Sequence, residues 1–369
     1  MGSIRTLLAL SVVVFHSYFI FGERLIGGLV AVQAFYLISG FYMAMILNEK
    51  YKAGKGSYKL FITNRFLRIY PAYWVCLFLV VLLCVVGKYG WNNPFYLWYW
   101  TKNWDVMHWS AVVFFVFANI FLIGSDWLTY SGLNPHSGKL EFAFAPFYYN
   151  PLAFQYLFIP QIWSVGVEMT FYLFAPLMLR RKWFIQLAIL IASLALRYYL
   201  LHTKGWNWDP WTYRFFPNEL AFFMGGSLAY KFYVFLKEKN IPQWINASAW
   251  AICFSLIFIY PHLNFATEPV LRWYFYVLFC LCLPFIFLFS KNSKIDRFIG
   301  ELSFPVYIGH HFIMFLWRQY FFTHVENMKW FGITCVLSSL VFAVILYLGV
   351  VIPIEKYRQR RVALNASVV

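Results

Sequence analysis

Hydrophobic and polar positions alternate along the chain on a long scale, as apolar runs of helical length separated by short polar connections. The runs cover about 4–21, 27–47, 71–88, 161–179, 183–201, 214–236, 244–260, 270–290, 298–320 and 330–352. A hydrocarbon core about 30 Å thick needs about 20 consecutive apolar residues in a helix, so the pattern predicts about ten transmembrane helices. A β-barrel would show alternating segments of about ten residues instead. The expected fold class is therefore all-α: a polytopic integral membrane protein with one membrane domain over residues 1–369. One more run, 111–124, is short for a crossing, and counting it would invert every later loop. It reads as re-entrant or superficial within a long external region, 89–160.

Composition and charge agree. The chain is 62% hydrophobic, 24% aromatic and 12% charged, with a mean hydropathy of +0.63, which excludes an ordinary soluble domain. A net charge of +16 would suggest nucleic acid in a soluble protein. Here 19 of the 30 basic residues fall on one set of alternate loops and five on the other. The positive-inside rule then places both termini in the cytoplasm, makes 48–70 a basic cytoplasmic loop, and leaves no nucleic-acid partner to expect. The six cysteines lie inside apolar runs without metal-ligand spacing, so no metal is expected. No small-residue cleavage site follows the first run, which reads as a retained helix and not a signal peptide. Tryptophans 91, 98, 100, 104, 109 and 127 of the external region form either an aromatic belt at headgroup level or a platform for stacking carbohydrate.

Polar residues inside apolar runs carry the candidate chemistry. Arg5 and His16 are eleven steps apart, so on a helix they share one face about 16 Å from each other. An ionisable residue at membrane depth marks a substrate pathway or a proton relay, or else serves as interhelical hydrogen-bonding glue. In the expected topology Glu168 lies about 10 Å below the outer boundary and His16 about 18 Å above the inner one, so the two arrive near one depth. His310 and Ser39 reach that level as well. A carboxylate beside a histidine fixes its tautomer, as a general base requires. Arg65 and Arg68, three apart before Pro71, point the same way near an expected helix start, an arrangement suited to phosphate or to anionic lipid. Arg5 on the same side favours a phosphorylated ligand. Arg197, Arg214, Arg272 and Arg318 sit near the outer ends of runs and read as cations snorkelling to headgroups. Buried His16, Glu168 and His310 also suit a transporter or flippase, which stands as the alternative.

These residues resemble the acyltransferase-3 family of integral-membrane acyltransferases. Arg5 and His16 match its arginine, ten residues, histidine motif, and Arg65-Phe-Leu-Arg68-Ile-Tyr-Pro71 its R-x-x-R signature. Phe35-Tyr-Leu-Ile-Ser39-Gly40-Phe41 is similar to its F-F-x-x-S-G-F stretch, Trp163-Ser164-Val-Gly-Val-Glu168 to its W-S-x-x-x-E block, and Glu301-Leu-Ser303-Phe-Pro-Val-Tyr307-Ile-Gly-His310 to its late S-Y-x-x-Y-L-x-H element. Gln33 departs from the pattern where many members carry an acid, as does Met169 where a second acid is common. The resemblance implies a multi-pass protein of the bacterial plasma membrane that takes an acyl group, most simply acetyl from cytoplasmic acetyl-CoA, to a hydroxyl of an externally facing glycan or glycolipid. It implies His16 as base oriented by Glu168; Arg5, Arg65 and Arg68 as holders of CoA phosphates; and Ser39, Trp163, Tyr307 and His310 as residues that position substrate. Membrane lipid and glycan-assembly proteins would be the further partners.

Overall fold

The computed structural model describes residues 1–51, 54, 56–144, 151–263 and 269–366. Thirteen α-helices are described: α1 Gly2–His16, α2 Gly28–Glu49, α3 Ser57–Gly90, α4 Leu97–Asn103, α5 Trp109–Phe121, α6 Trp163–Leu179, α7 Trp183–Tyr198, α8 Phe216–Leu236, α9 Gln243–Ile259, α10 Pro269–Ser290, α11 Lys294–Thr323, α12 Phe331–Leu346 and α13 Ile352–Ala366. The protein is an all-α membrane protein, with one small exception in a two-stranded antiparallel pair, β1 (Ser131–Leu133) and β2 (Leu140–Phe142). Among the described residues seven segments are long and apolar enough to cross a bilayer: 28–49, 57–90, 160–179, 183–203, 243–262, 272–290 and 327–362. Three of the ten expected spans, those of α1, α8 and α11, are not among them. α1 has 15 residues, about 22 Å of helix, and α11 carries Asp296, Glu301, Arg297 and Arg318 within its length.

Three expected boundaries move, each for a local reason. The first run is helical only to His16: Ser17 folds its hydroxyl back onto the Val13 carbonyl at 2.8 Å, and Phe21 and Gly22 turn the chain with positive φ. His16 therefore stands at a helix end, half-buried, and not deep within a helix. α3 begins at Ser57, well before Pro71, so Arg65 and Arg68 lie inside a helix and no free N–H groups of a helix start adjoin them. Apolar helix formers on both sides carry the chain through the proline, whose lost hydrogen bond neighbouring helices tolerate. The basic stretch after Lys356 is a helix as well. α12 runs through a π turn at Tyr347–Val351 into α13, which docks on α3 through Arg361 to Thr63 Oγ1 at 3.1 Å. Lys52 and Lys55 of the basic loop, and positions 145–150 of the external region, lie outside the described residues. Residues 111–121 of the segment at 111–124 lie in α5, whose 13 residues span about 20 Å, and Leu122 ends it with positive φ.

Glycines set which helices approach most closely. A Cβ on Gly40 would lie 2.0 Å from the Phe223 carbonyl oxygen, and one on Gly226 would lie 1.8 Å from that of Leu37. The backbones of α2 and α8 thus touch, as small residues permit between membrane helices. Gly2 and Gly300 bring α1 against α11 in the same way, with a Gly300 Cβ only 2.6 Å from the Gly2 Cα.

Candidate functional site

The end of the bundle that holds Arg5 is built by Asp296. Its carboxylate accepts the N–H of Gly2 at 2.6 Å, the N–H and hydroxyl of Ser3 at 2.8 Å each, and the N-terminal ammonium at 2.8 Å. The first-turn donors of α1 are thereby satisfied from a neighbouring helix. Burial works against the Asp296 charge, but these donors outweigh it and hold the carboxyl down at about 2. With the start of α1 fixed, Arg5 points into a cavity of about 440 Å³, its guanidinium 5.7 Å from the Tyr42 ring centre.

Cations outnumber acids around that cavity: Arg5, Arg65, Arg68, Lys291 and Arg297 against Asp296, Glu301 and Glu168. Two of the expected phosphate holders differ sharply. Arg68 donates to both oxygens of Glu301, at 3.0 and 3.1 Å, with Glu355 of α13 at 4.0 Å. Arg65, one turn back, is buried and has neither a hydrogen bond nor an ion pair among the described residues. A buried guanidinium in that position is destabilised unless an anion joins it.

Glu168 lines the same cavity. Ser39 Oγ donates to it at 2.5 Å and the Tyr172 hydroxyl donates to the same oxygen. The expected pairing of Glu168 with His16 is therefore corrected: its two hydroxyl donors come from α2 and from its own helix, and the described hydrogen bonds of His16 go elsewhere. The wall ends at Tyr307, whose hydroxyl lies 2.6 Å from Ser164 Oγ and donates to the Gln161 carbonyl at 3.2 Å. Phe35 faces the Tyr307 ring edge-on, with centres 6.2 Å apart. Trp163 is outside this wall. It packs against Tyr213 and beneath the Arg214 guanidinium, 4.5 Å from its ring centre.

Beyond Tyr307 stand three histidines. His310 Nδ1 lies 2.7 Å from the Tyr307 carbonyl, which can only accept, so that nitrogen carries the proton. Its Nε2 is then the lone-pair nitrogen. His16 Nδ1 lies 3.0 Å from it, with the two rings 4° from coplanar, and must be the donor. The remaining nitrogen of His16, Nε2, is left with a free lone pair. A backbone carbonyl thus fixes one tautomer and, through it, a second. His311 meets the His16 ring edge-on at 5.2 Å, and both of its ring nitrogens are buried without a partner among the described residues.

Two groups were not legible as site features. Glu219 in the first turn of α8 is 0% exposed, ion-paired with Arg197 and bonded by Gln33 Nε2 at 3.0 Å, while the Tyr276 hydroxyl donates to Gln33 Oε1 at 2.5 Å. Arg197 is thus no snorkelling cation. Neither is Arg214, which Asp209 holds at 2.7 and 2.8 Å. The signal for the first pair was an acid inside an apolar run. The other is Asp126, fully buried, with neither oxygen in a well-formed hydrogen bond. Burial pushes its carboxyl up to about 7, against slight help from the N–H groups of Asp126 and Trp127.

The family model described as "Acyltransferase domain", that of the acyltransferase-3 family, matches residues 2–350. The chain belongs to the acyltransferase-3 family. Its membership covers both the Arg5 cavity and the histidine group. The chain is also similar to a protein of Acidianus two-tailed virus named "Putative acetyltransferase", with 26% identity over 181 residues, 46% of this chain and 52% of that protein. The chain thus spans about half the length of that curated relative. No solved structure matches it.

Proposed function

We propose that this membrane acyltransferase moves an acyl group, most simply acetyl, from cytoplasmic acyl-CoA to a hydroxyl of a glycan or glycolipid on the far side of the bacterial plasma membrane. One observation carries the reading: a cation-rich cavity begins at Arg5 and ends at Tyr307, whose carbonyl holds the histidine that orients His16. The Arg5 end takes the phosphates of CoA. Arg65, lacking an internal anion, is the primary phosphate ligand, and Arg68 joins it if Glu301 releases it. Glu168 accepts from the amide N–H groups of the pantetheine arm as that arm passes Ser39 and Tyr172. The thioester reaches His16 when the Phe35 and Tyr307 rings part.

At that point His16 Nε2 takes the proton of the acceptor hydroxyl, and the oxygen attacks the thioester carbonyl. The tetrahedral intermediate collapses to the ester as the C–S bond breaks, and the CoA sulfur takes the proton from His16 Nε2. His310 keeps His16 Nδ1–H engaged throughout, so the base nitrogen does not rotate away. Trp163 is buried beneath Arg214, so in this reading it positions the acceptor by holding that guanidinium and not by stacking on a sugar.

Proteoliposomes containing purified protein test this directly. Labelled acetyl-CoA supplied at the Arg5 side should lose label to a glycan acceptor supplied at the other side. Transfer that proceeds only when donor and acceptor share one side would defeat the transmembrane arrangement.

A further inference from the structure

The three imidazoles do more than form a base and its partner. The nitrogens of His16, His310 and His311 lie within 4.8 Å of one another. His310 donates its one ring proton, on Nδ1, to a backbone carbonyl at 2.7 Å and leaves Nε2 free, the arrangement that orients and strengthens histidine ligands in metal sites. His311 is buried with both nitrogens unpartnered, which is costly for a polar ring unless something accepts its lone pair. Three imidazoles without a thiolate or carboxylate suit first-row divalent ions of the zinc class and not magnesium or calcium. Zinc bonded to nitrogen at about 2.0–2.1 Å, in tetrahedral geometry, brings its ligands close to the 3.0 Å that already separates His16 from His310. His16 is half-buried and supplies the route of entry.

We propose that His16, His310 and His311 bind a zinc-class divalent ion, and that the bound ion inhibits acyl transfer by occupying the lone pairs on which His16 depends. The inhibitory half rests on His16 being the base; the binding half does not. Binding breaks the His16–His310 hydrogen bond: the His16 proton moves from Nδ1 to Nε2, so that the metal holds the ring's lone pair at Nδ1, and three N–metal bonds form from neutral rings, leaving the fourth position to water. No proton or electron need be supplied. His311 enters the ion site alone, since it touches no part of the donor cavity.

The test uses untagged, full-length protein in detergent, with free Zn²⁺ set by a chelator buffer. Equilibrium binding should show one tight equivalent in the wild type, weakened at least tenfold in His311→Asn and lost in the triple Asn variant. Co²⁺ substitution should give the visible absorption of a tetrahedral nitrogen site in the wild type only. Acetyl transfer should fall as Zn²⁺ rises, recover with chelator, and require at least tenfold more Zn²⁺ to fall in His311→Asn. Equal binding by wild type and triple variant, both eluting as intact monodisperse protein, would overturn the site. Binding that depends on His311 but leaves transfer untouched would overturn the inhibition and, with it, the assignment of His16, while the site itself would stand.

Discussion

The half of the molecule around Arg5 and the half around His16 use polarity in opposite ways. Around Arg5, charges of both signs surround an open cavity, and among the described residues the Arg65 guanidinium is left without an acid, as the proposed phosphate ligand would be. Around His16, the ring nitrogens face each other and a backbone carbonyl, with no carboxylate among their hydrogen-bond partners in the described residues. A carboxylate there would favour the imidazolium form and remove the lone pair a base needs. Ser39 and Tyr172 keep Glu168 occupied in the cavity wall. On the proposed mechanism, charge would serve to hold the donor and neutrality would serve the reaction.

The largest test of that contrast is at His16. His16→Ala should reduce acyl transfer about 10²- to 10⁴-fold, the usual contribution of general-base catalysis, while leaving acyl-CoA affinity unchanged. His310→Phe should cost about 10- to 100-fold, since it removes an orienting partner and not the base itself. Transfer rates and donor affinity measured on both variants decide the matter: if His310→Phe is as damaging as His16→Ala, the order of the two rings in the relay is wrong.

Next in size is a challenge to the neutrality of the His16 half, because that half does contain ion pairs: Asp209–Arg214, half-buried over Trp163, and Arg197–Glu219, fully buried. Arg197 and Glu219 are closed on each other and on Gln33, far from solvent. Glu219→Ala should destabilise the protein by about 3–5 kcal/mol by stranding a buried guanidinium. Arg197→Met combined with Glu219→Leu should recover most of that loss and retain transfer. A stable double variant without activity would make the pair part of the chemistry and end the contrast.

The cation half is sharpened by separating its two arginines. Arg65→Ala should weaken acyl-CoA binding about 10- to 100-fold, the range expected for a lost charge-assisted hydrogen bond. Arg68→Ala should weaken it less, because Arg68 must first leave Glu301. Calorimetric titration of both variants with acyl-CoA compares them, and the reverse order would show that Glu301 releases its partner freely.

Much of this was legible in the sequence because its signals are local. Apolar length gave the membrane helices, and the eleven-step interval placed Arg5 and His16 along α1 with one at each end. Pairings between helices were not legible, since rotation about a helix axis leaves no trace in hydropathy. His16, Glu168 and His310 arrive at similar depth, yet depth alone cannot say that Ser39 turns Glu168 one way while Tyr307 turns His310 another. Gly40 could be read as part of a motif, but its purpose lies in the approach of α2 to the Phe223 carbonyl of α8, two helices that only the fold brings together. Pro71 misled because a proline that would open a helix in water is tolerated within one in a membrane.

The smallest expected effect concerns a charge that fits neither half. Asp126 is buried without a cation or a well-formed hydrogen bond, and its carboxyl is held at about 7 against an ordinary 3.8. The folded protein therefore binds this proton more tightly than the unfolded chain does. Its contribution to stability is favourable at low pH and fades as pH rises from about 4 to about 7, above which the full cost of a buried anion is present. Asp126→Asn keeps the shape and removes the titration. The variant should match the wild type at about pH 4 and melt a few degrees higher at about pH 8, as followed by thermal unfolding in detergent. A gain that shrinks with rising pH would mean that Asp126 is stabilised as an anion. The reading that ionised groups in this protein are kept where they can hold something would then have to extend to the external region too.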